Sequence, residues 1–86
     1  MNTQNVINIV MAEDHPIFRS GLRQIIEEEE NIKIIGEAEN GEIAIELILK
    51  YNPDIVLLDI KKTKKTGLEV LREIGKMKLK PKVIFL

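Results

Sequence analysis

The sequence of 86 residues contains no cysteine, which excludes a disulfide framework, a thiolate metal site and a cysteine nucleophile. It has only two Phe and one Tyr, so a surface of aromatic rings that stacks on nucleic-acid bases is not expected. No apolar run approaches the roughly 18 to 20 residues that span a bilayer, and the amino terminus lacks the basic segment of a signal peptide. We therefore expect a cytoplasmic protein with no membrane segment.

An excess of charge of one sign is also missing, because 13 Lys and Arg balance 14 Asp and Glu and leave a net charge of -1. This balance provides no general attraction to nucleic acid or to an anionic membrane. Lysines do crowd into residues 61–65, but no aromatic residue is interleaved with them, so we interpret this segment as a solvated loop. The length allows a single domain.

What the sequence does contain is a regular alternation of two hydrophobic patterns. Short apolar runs rich in β-branched residues predict four strands, at residues 6–12, 32–38, 55–58 and 83–86. Apolar residues at helical spacing predict three helices between them, from residue 16 to about 30, from 41 to 51 and from 67 to about 77. Asn40 and Thr66 stand at the N-cap positions of the second and third helices. The alternation predicts an α/β fold with a parallel sheet, right-handed crossovers and helices on its faces.

Two glycines lie inside predicted elements. Gly21 is in the first helix, where it costs ~1 kcal/mol relative to Ala, and we interpret it as a point of close packing on the sheet. Gly36 lies in the second strand, and its backbone freedom is the only role that we assign to it.

Carboxylates follow two of the predicted strands. Glu13 and Asp14 follow the first strand, and Asp59 directly follows the third. If these strands are neighbours, the three acids meet at the carboxyl edge of the sheet, where open α/β sheets bind ligands. Crowded carboxylates repel one another unless one is protonated or a cation neutralises them. A hard divalent ion such as Mg²⁺ suits such oxygen ligands, and an Asp beside it can attack phosphorus. A simple strand-end cap is the alternative role for Asp59.

The same segments resemble a known family. The motif Glu13-Asp14-His15-Pro16 is combined with residues 40–44, 53–60 and 67–69 as in the receiver domains of bacterial two-component response regulators. Residues 14–22 are most similar to the branch with a C-terminal helix-turn-helix DNA-binding domain. This resemblance covers nearly the whole chain and implies a flavodoxin-like, three-layer α/β/α fold with strand order 2-1-3-4.

The resemblance also implies roles for single residues. Asp59 corresponds to the phosphoacceptor and also to a ligand of Mg²⁺. Asp14 corresponds to the direct Mg²⁺ ligand, and Glu13 to a ligand that acts through water. The backbone carbonyl of Lys61 corresponds to the third protein ligand of the metal. A sensor histidine kinase or a small acyl phosphate would supply the phosphoryl group. The domain would control a transcription-regulating output domain outside this chain, and DNA would be bound only through that domain.

The sequence departs from the family pattern in two places. The loop after Asp59 usually carries Met-Pro-Gly-Met and an acid or Asn before the Gly, whereas residues 62–66 here are Lys-Thr-Lys-Lys-Thr. Family members also continue past the fourth strand with a hydroxyl residue, a Lys-bearing fifth strand and two further helices. We therefore expect residues 1–86 to form a receiver domain that is incomplete at its carboxyl terminus. Its fourth strand would be an apolar edge that favours homodimer formation.

Two alternative functions remain open. The chain could be a receiver-like interaction module without a phosphorylation switch. It could also be an aspartate-nucleophile phosphatase, because residues 59–63 faintly resemble the Asp-x-Asp-x-Thr/Val loop of haloacid-dehalogenase-type phosphatases. Lys61 replaces the second Asp of that loop, which is the general acid there, and the chain is short for that fold. We therefore expect a module that is not an enzyme.

Overall fold

The computed structural model of the chain describes residues 6–59, 67–78 and 80–86. Its elements alternate along the chain as β1 (Ile7–Ala12), α1 (Pro16–Ile26), β2 (Ile32–Ala38), α2 (Gly41–Tyr51), β3 (Ile55–Leu58), α3 (Gly67–Gly75) and β4 (Lys82–Phe85). The strands form one parallel sheet in the order β2-β1-β3-β4. The predicted α/β fold and strand order are therefore confirmed. Within these ranges, no helix is both long and apolar enough to cross a membrane.

Side chains that alternate along the two central strands divide the core into two clusters. On one face, Val10 and Val56 pack with Ile48 of α2 and with side chains of α3. On the other face, Met11 and Leu57 belong to a smaller cluster that α1 covers. Because both faces of β1 and β3 are buried in the middle of the sheet, residues 9–12 and 55–58 are all apolar rather than alternating with polar residues. Helices on both faces give the three-layer arrangement that was predicted.

Helix α1 ends earlier than predicted, at Ile26 rather than near residue 30. Residues 27–30 are all Glu, and negative charge is unfavourable at the carboxyl end of a helix. The first of them, Glu27, is the C-cap residue, and its carboxylate accepts a hydrogen bond from the Ile34 N–H of β2 at 3.2 Å. Glu27 therefore closes α1 and connects its end to β2.

Helix α2 begins and ends at the predicted residues. The Asn40 side chain caps its amino end by accepting a hydrogen bond from the Ile43 N–H at 2.9 Å. Asn52 ends it with a φ of 50°, a left-handed conformation that Asn tolerates better than most residues. The predicted cap of α3, Thr66, lies outside the described residues.

The two glycine interpretations are both wrong. Gly21 lies on an exposed part of α1, and a Cβ placed there would have no atom within 4 Å. Gly36 is the glycine in a close contact, because a Cβ there would lie 3.1 Å from Cδ1 of Leu47. Strand β2 thus meets α2 closely at a position where a side chain would crowd the contact.

Candidate functional site

The predicted site residues Glu13 and Asp59 lie at the carboxyl edge of the sheet. Ala12 and Leu58 are register partners at the ends of β1 and β3, so the two acids follow paired residues. The Asp59 N–H donates to the Ala12 carbonyl at 3.0 Å, and the Glu13 N–H donates to the Ala38 carbonyl at 2.9 Å. The ladder of hydrogen bonds therefore continues one residue past each strand. It places Glu13 and Asp59 side by side, on strands that are about 4.8 Å apart.

Both of these acids are buried. Glu13 is 0% exposed and Asp59 is 7% exposed, and they are the two buried charged side chains among the described residues. By the alternation of the strands, they fall on the same face as Met11 and Leu57. An ionised carboxylate is costly to bury unless its charge is balanced. Two of them in adjacent positions are more typical of an ion-binding or reactive site than of a strand-end cap.

Glu13 is held from three directions. Besides its N–H bond to β2, its carboxylate Oε2 accepts a hydrogen bond from the His15 N–H at 2.8 Å. Its carbonyl accepts a hydrogen bond from Nη1 of Arg19 on α1 at 2.8 Å. The residue therefore joins the end of β1, the following loop and the first turn of α1. Asp14, next to it, is exposed.

The donor set at this edge fits a divalent cation. Glu13, Asp14 and His15 each offer a ligand atom, and these atoms lie within 4.8 Å of one another. The carboxylate oxygens suit Mg²⁺, which prefers hard oxygen ligands, whereas an imidazole nitrogen suits transition metals better. His15 is exposed at the N-cap of α1. Its closeness to the two acids was missed, although the three residues are consecutive in the sequence.

Lys61, whose backbone carbonyl was predicted as a further metal ligand, lies outside the described residues. Its contribution stays a prediction. The structure groups the ligand atoms of Glu13 and Asp14 with those of His15, and Asp59 is not in that group. The backbone of Asp59 follows the residue paired with Ala12, so it lies beside Glu13 across the β1–β3 pair.

The sequence of the chain is similar to those of known proteins. Residues 9–86 match the family model of the response regulator receiver domain. The transcriptional regulatory protein DegU of Brevibacillus brevis is 41% identical over 71 residues, which cover 83% of this chain and 30% of that protein. The nitrate/nitrite response regulator protein NarL of Escherichia coli K12 is 36% identical over 84 residues, covering 98% of this chain and 39% of that protein. The chain therefore spans about a third of the length of these curated relatives.

Solved structures show the same likeness. A DNA-binding response regulator of the LuxR family from Staphylococcus aureus has a TM-score of 0.85 and 40% identity, over 93% of this chain and 67% of that one. The response regulator domain of Thermotoga maritima CheB has a TM-score of 0.82 and 32% identity, over 93% of this chain and 59% of that one. The parallel sheet and its strand order are thus shared with solved proteins of this kind.

Proposed function

Since this chain belongs to the response regulator receiver domain family, we propose that it is a phosphorylation switch in which Asp59 accepts a phosphoryl group. The observation that carries the proposal is the position of Asp59 at the same edge of the sheet as the acids that follow β1, where the Asp59 N–H donates to the carbonyl of Ala12, the last residue of β1, at 3.0 Å. A nucleophilic carboxylate and a pair of metal-binding carboxylates are the groups that phosphoryl transfer to Asp requires.

In the proposed reaction, a carboxylate oxygen of Asp59 attacks the phosphorus of the donor. A new P–O bond forms as the bond from phosphorus to the leaving group breaks, and the product is an aspartyl phosphate. The leaving group is the imidazole of a phosphohistidine or the carboxylate of a small acyl phosphate. Glu13, Asp14, Asp59 and the Lys61 carbonyl would hold Mg²⁺, which neutralises charge on the transferring group when it is bound.

The exposures of the two acids that follow β1 support different duties for them. Asp14 is exposed and would contact the ion directly. Glu13 is fully buried, and its Oε2 is engaged by the His15 N–H, so it would act through water. This division follows the roles that the family resemblance implies.

The chain spans only about a third of the length of its curated relatives. We infer a sensor histidine kinase as phosphodonor, a cytoplasmic location and a role in transcription. DNA would be bound through an output domain outside this chain. DegU is a transcriptional regulatory protein and the Staphylococcus protein is a DNA-binding response regulator, which supports this inference. The receiver itself would accept phosphoryl groups without turning over a substrate.

We also propose that the chain forms a homodimer through β4. Strand β4 is at one end of the described sheet, and Ile84, Phe85 and Leu86 are 44%, 48% and 42% exposed. An apolar edge strand of this kind favours pairing with another chain. Light scattering at rising protein concentration should show a dimer that Ile84→Lys weakens. A monodisperse monomer at high concentration would contradict the homodimer.

The phosphorylation itself is tested by intact mass. The chain is incubated with acetyl phosphate and Mg²⁺, and we expect a mass increase of one phosphoryl group that is absent in Asp59→Asn. Asp54→Asn is the matched control, since Asp54 lies just before the other end of β3 and its carboxylate accepts a hydrogen bond from the Asn8 N–H at 2.8 Å. Persistent labelling of Asp59→Asn would exclude Asp59 as the acceptor. Absence of labelling in the wild type would favour an interaction module without a switch.

A further inference from the structure

Two arginines of α1 contact the same acid, but only one of them reaches the candidate site. Arg19 and Arg23 both form ion pairs with Glu37 of β2, the first through Nε at 3.1 Å. Arg23 also pairs with Glu27, at 3.3 Å. Arg19 instead directs Nη1 at the carbonyl of Glu13, 2.8 Å away. The two side chains therefore share a helix and a partner, and they differ in one contact with the site.

We infer that Arg19 is a positioning residue that orients Asp14 for metal binding by holding the backbone of Glu13. This inference rests on the function proposed above. The carbonyl of Glu13 and the N–H of Asp14 belong to one planar peptide unit. Because Arg19 holds that carbonyl and Ala38 holds the Glu13 N–H, the backbone of Glu13 is fixed on both sides. The orientation of Asp14 then follows from the peptide that Arg19 holds.

This restraint matters most for Asp14. Its side chain is exposed, so packing does not hold it in one place. The backbone that leads into Asp14 therefore contributes to where its carboxylate lies. Ligands that are preorganised by neighbouring hydrogen bonds bind a metal more tightly than ligands that must first be ordered.

The geometry also explains why an arginine occupies this position. A guanidinium is a planar fork that can donate to two acceptors in different directions, here a carboxylate oxygen of Glu37 and a backbone oxygen of Glu13. The Arg19 side chain is only 21% exposed, so these bonds are partly shielded from water. A lysine has one nitrogen at the end of a flexible chain and cannot hold both acceptors in the same fixed arrangement.

Charge and positioning predict opposite effects of removing Arg19. The guanidinium is a positive charge near the site of a cation, so loss of the charge alone would strengthen cation binding. Loss of the bond to the Glu13 carbonyl would weaken cation binding, because Asp14 would no longer be held in place. The sign of the change in affinity therefore separates the two roles.

The test is Mn²⁺ binding to the 86-residue chain, with free Mn²⁺ measured by electron paramagnetic resonance. We expect Arg19→Gln to raise the dissociation constant about tenfold, the usual size of the effect for residues that orient metal ligands. Arg19→Lys, which keeps the charge, should also raise it. Arg23→Gln is the matched control, since it removes a charge from the same helix and a contact with the same Glu37, and its affinity should not be weaker than wild type.

A second readout needs no metal. The His15 N–H donates to Glu13 Oε2 at 2.8 Å, so its hydrogen exchange reports the order of Glu13. Exchange of this amide should be about two- to tenfold faster in Arg19→Gln and unchanged in Arg23→Gln. Thermal unfolding of each variant checks the fold, and Arg19→Lys carries the test should Arg19→Gln fail to fold.

The outcomes distinguish this inference from the proposed function. Wild-type protein that binds no Mn²⁺ would overturn both the metal site and the role of Arg19. Wild-type binding that Arg19→Gln leaves unchanged or strengthens would overturn the role of Arg19 alone. Equal weakening by Arg19→Gln and Arg23→Gln would also overturn it, because the effect would then come from loosening α1 rather than from the contact with Glu13.

Discussion

The two faces of the sheet are held by different kinds of interaction. On the face of α2 and α3, the helices supply fully or nearly fully buried side chains, including Ala44, Ile48, Val70 and Ile74. On the other face, α1 supplies no buried residue, and only Leu22 and Ile26 pack partly buried against the sheet. Burial of apolar area is the main source of folding free energy. The α2–α3 face therefore stabilises the fold more than the α1 face.

Polar contacts hold α1 instead. Arg19 and Arg23 pair with Glu37, and Glu27 accepts a hydrogen bond from the Ile34 N–H. The candidate site is on this same side, because Glu13 is bonded to Arg19. Partly exposed polar contacts contribute little to the free energy of folding, but they fix the orientation of the groups that they join. The apolar face therefore provides stability, while the polar face orients the residues of the site.

The largest expected difference between the faces comes from truncating one side chain on each. Ile48→Ala in α2 should lower the free energy of unfolding by ~2–5 kcal/mol, because Ile48 is 2% exposed and leaves a cavity. Leu22→Ala in α1 removes the same number of carbons from a half-buried position and should cost about 1 kcal/mol. Urea unfolding measures both values. Equal losses would show that α1 is docked by apolar packing as firmly as α2.

A pair of glycine substitutions should change stability in opposite directions. Gly21→Ala places a Cβ in open space on α1 and should stabilise the protein by about 0.5–1 kcal/mol through helix propensity. Gly36→Ala places a Cβ 3.1 Å from Cδ1 of Leu47 and should destabilise it by about 1 kcal/mol through crowding. The shifts in the urea midpoint give both signs. Stabilisation by Gly36→Ala would mean that the Leu47 side chain moves away from the new Cβ at no cost in stability.

These glycines also mark a limit of prediction from sequence. The alternation of strand and helix patterns was sufficient for the elements and the parallel sheet, because burial imposes a periodicity on each element. The order of the strands came from the family resemblance, since alternation does not say which strands are neighbours. Which of Gly21 and Gly36 makes a close contact depends on packing between segments that are distant in the sequence, and no local pattern predicts it.

The candidate site was also predictable only in part. Glu13, Asp14 and Asp59 could be identified because each follows a strand, and the ends of parallel strands meet at one edge. Arg19 could not be identified in this way. Its hydrogen bond is to a backbone carbonyl, which every residue type has, so the sequence at the accepting position gives no signal. The end of α1 was also missed, because four consecutive glutamates do not reveal which of them bonds to β2.

The smallest expected effect concerns the polar attachment of α1 and depends on pH. The hydrogen bond from the Ile34 N–H, aided by Arg23, holds the pKa of Glu27 below its ordinary value of 4.5. A lowered pKa in the folded state means that this carboxylate stabilises the fold above about pH 4.5. The contribution is lost as the pH falls through the lowered pKa.

Glu27→Gln should therefore lose less stability than wild type between neutral pH and about pH 3, as measured by urea midpoints. Glu30→Gln, in the same exposed acidic run, is the control and should follow the wild-type curve. If Glu27→Gln also followed it, the attachment of α1 to β2 would not depend on this charge, and the polar character assigned to that face would rest on the arginines alone.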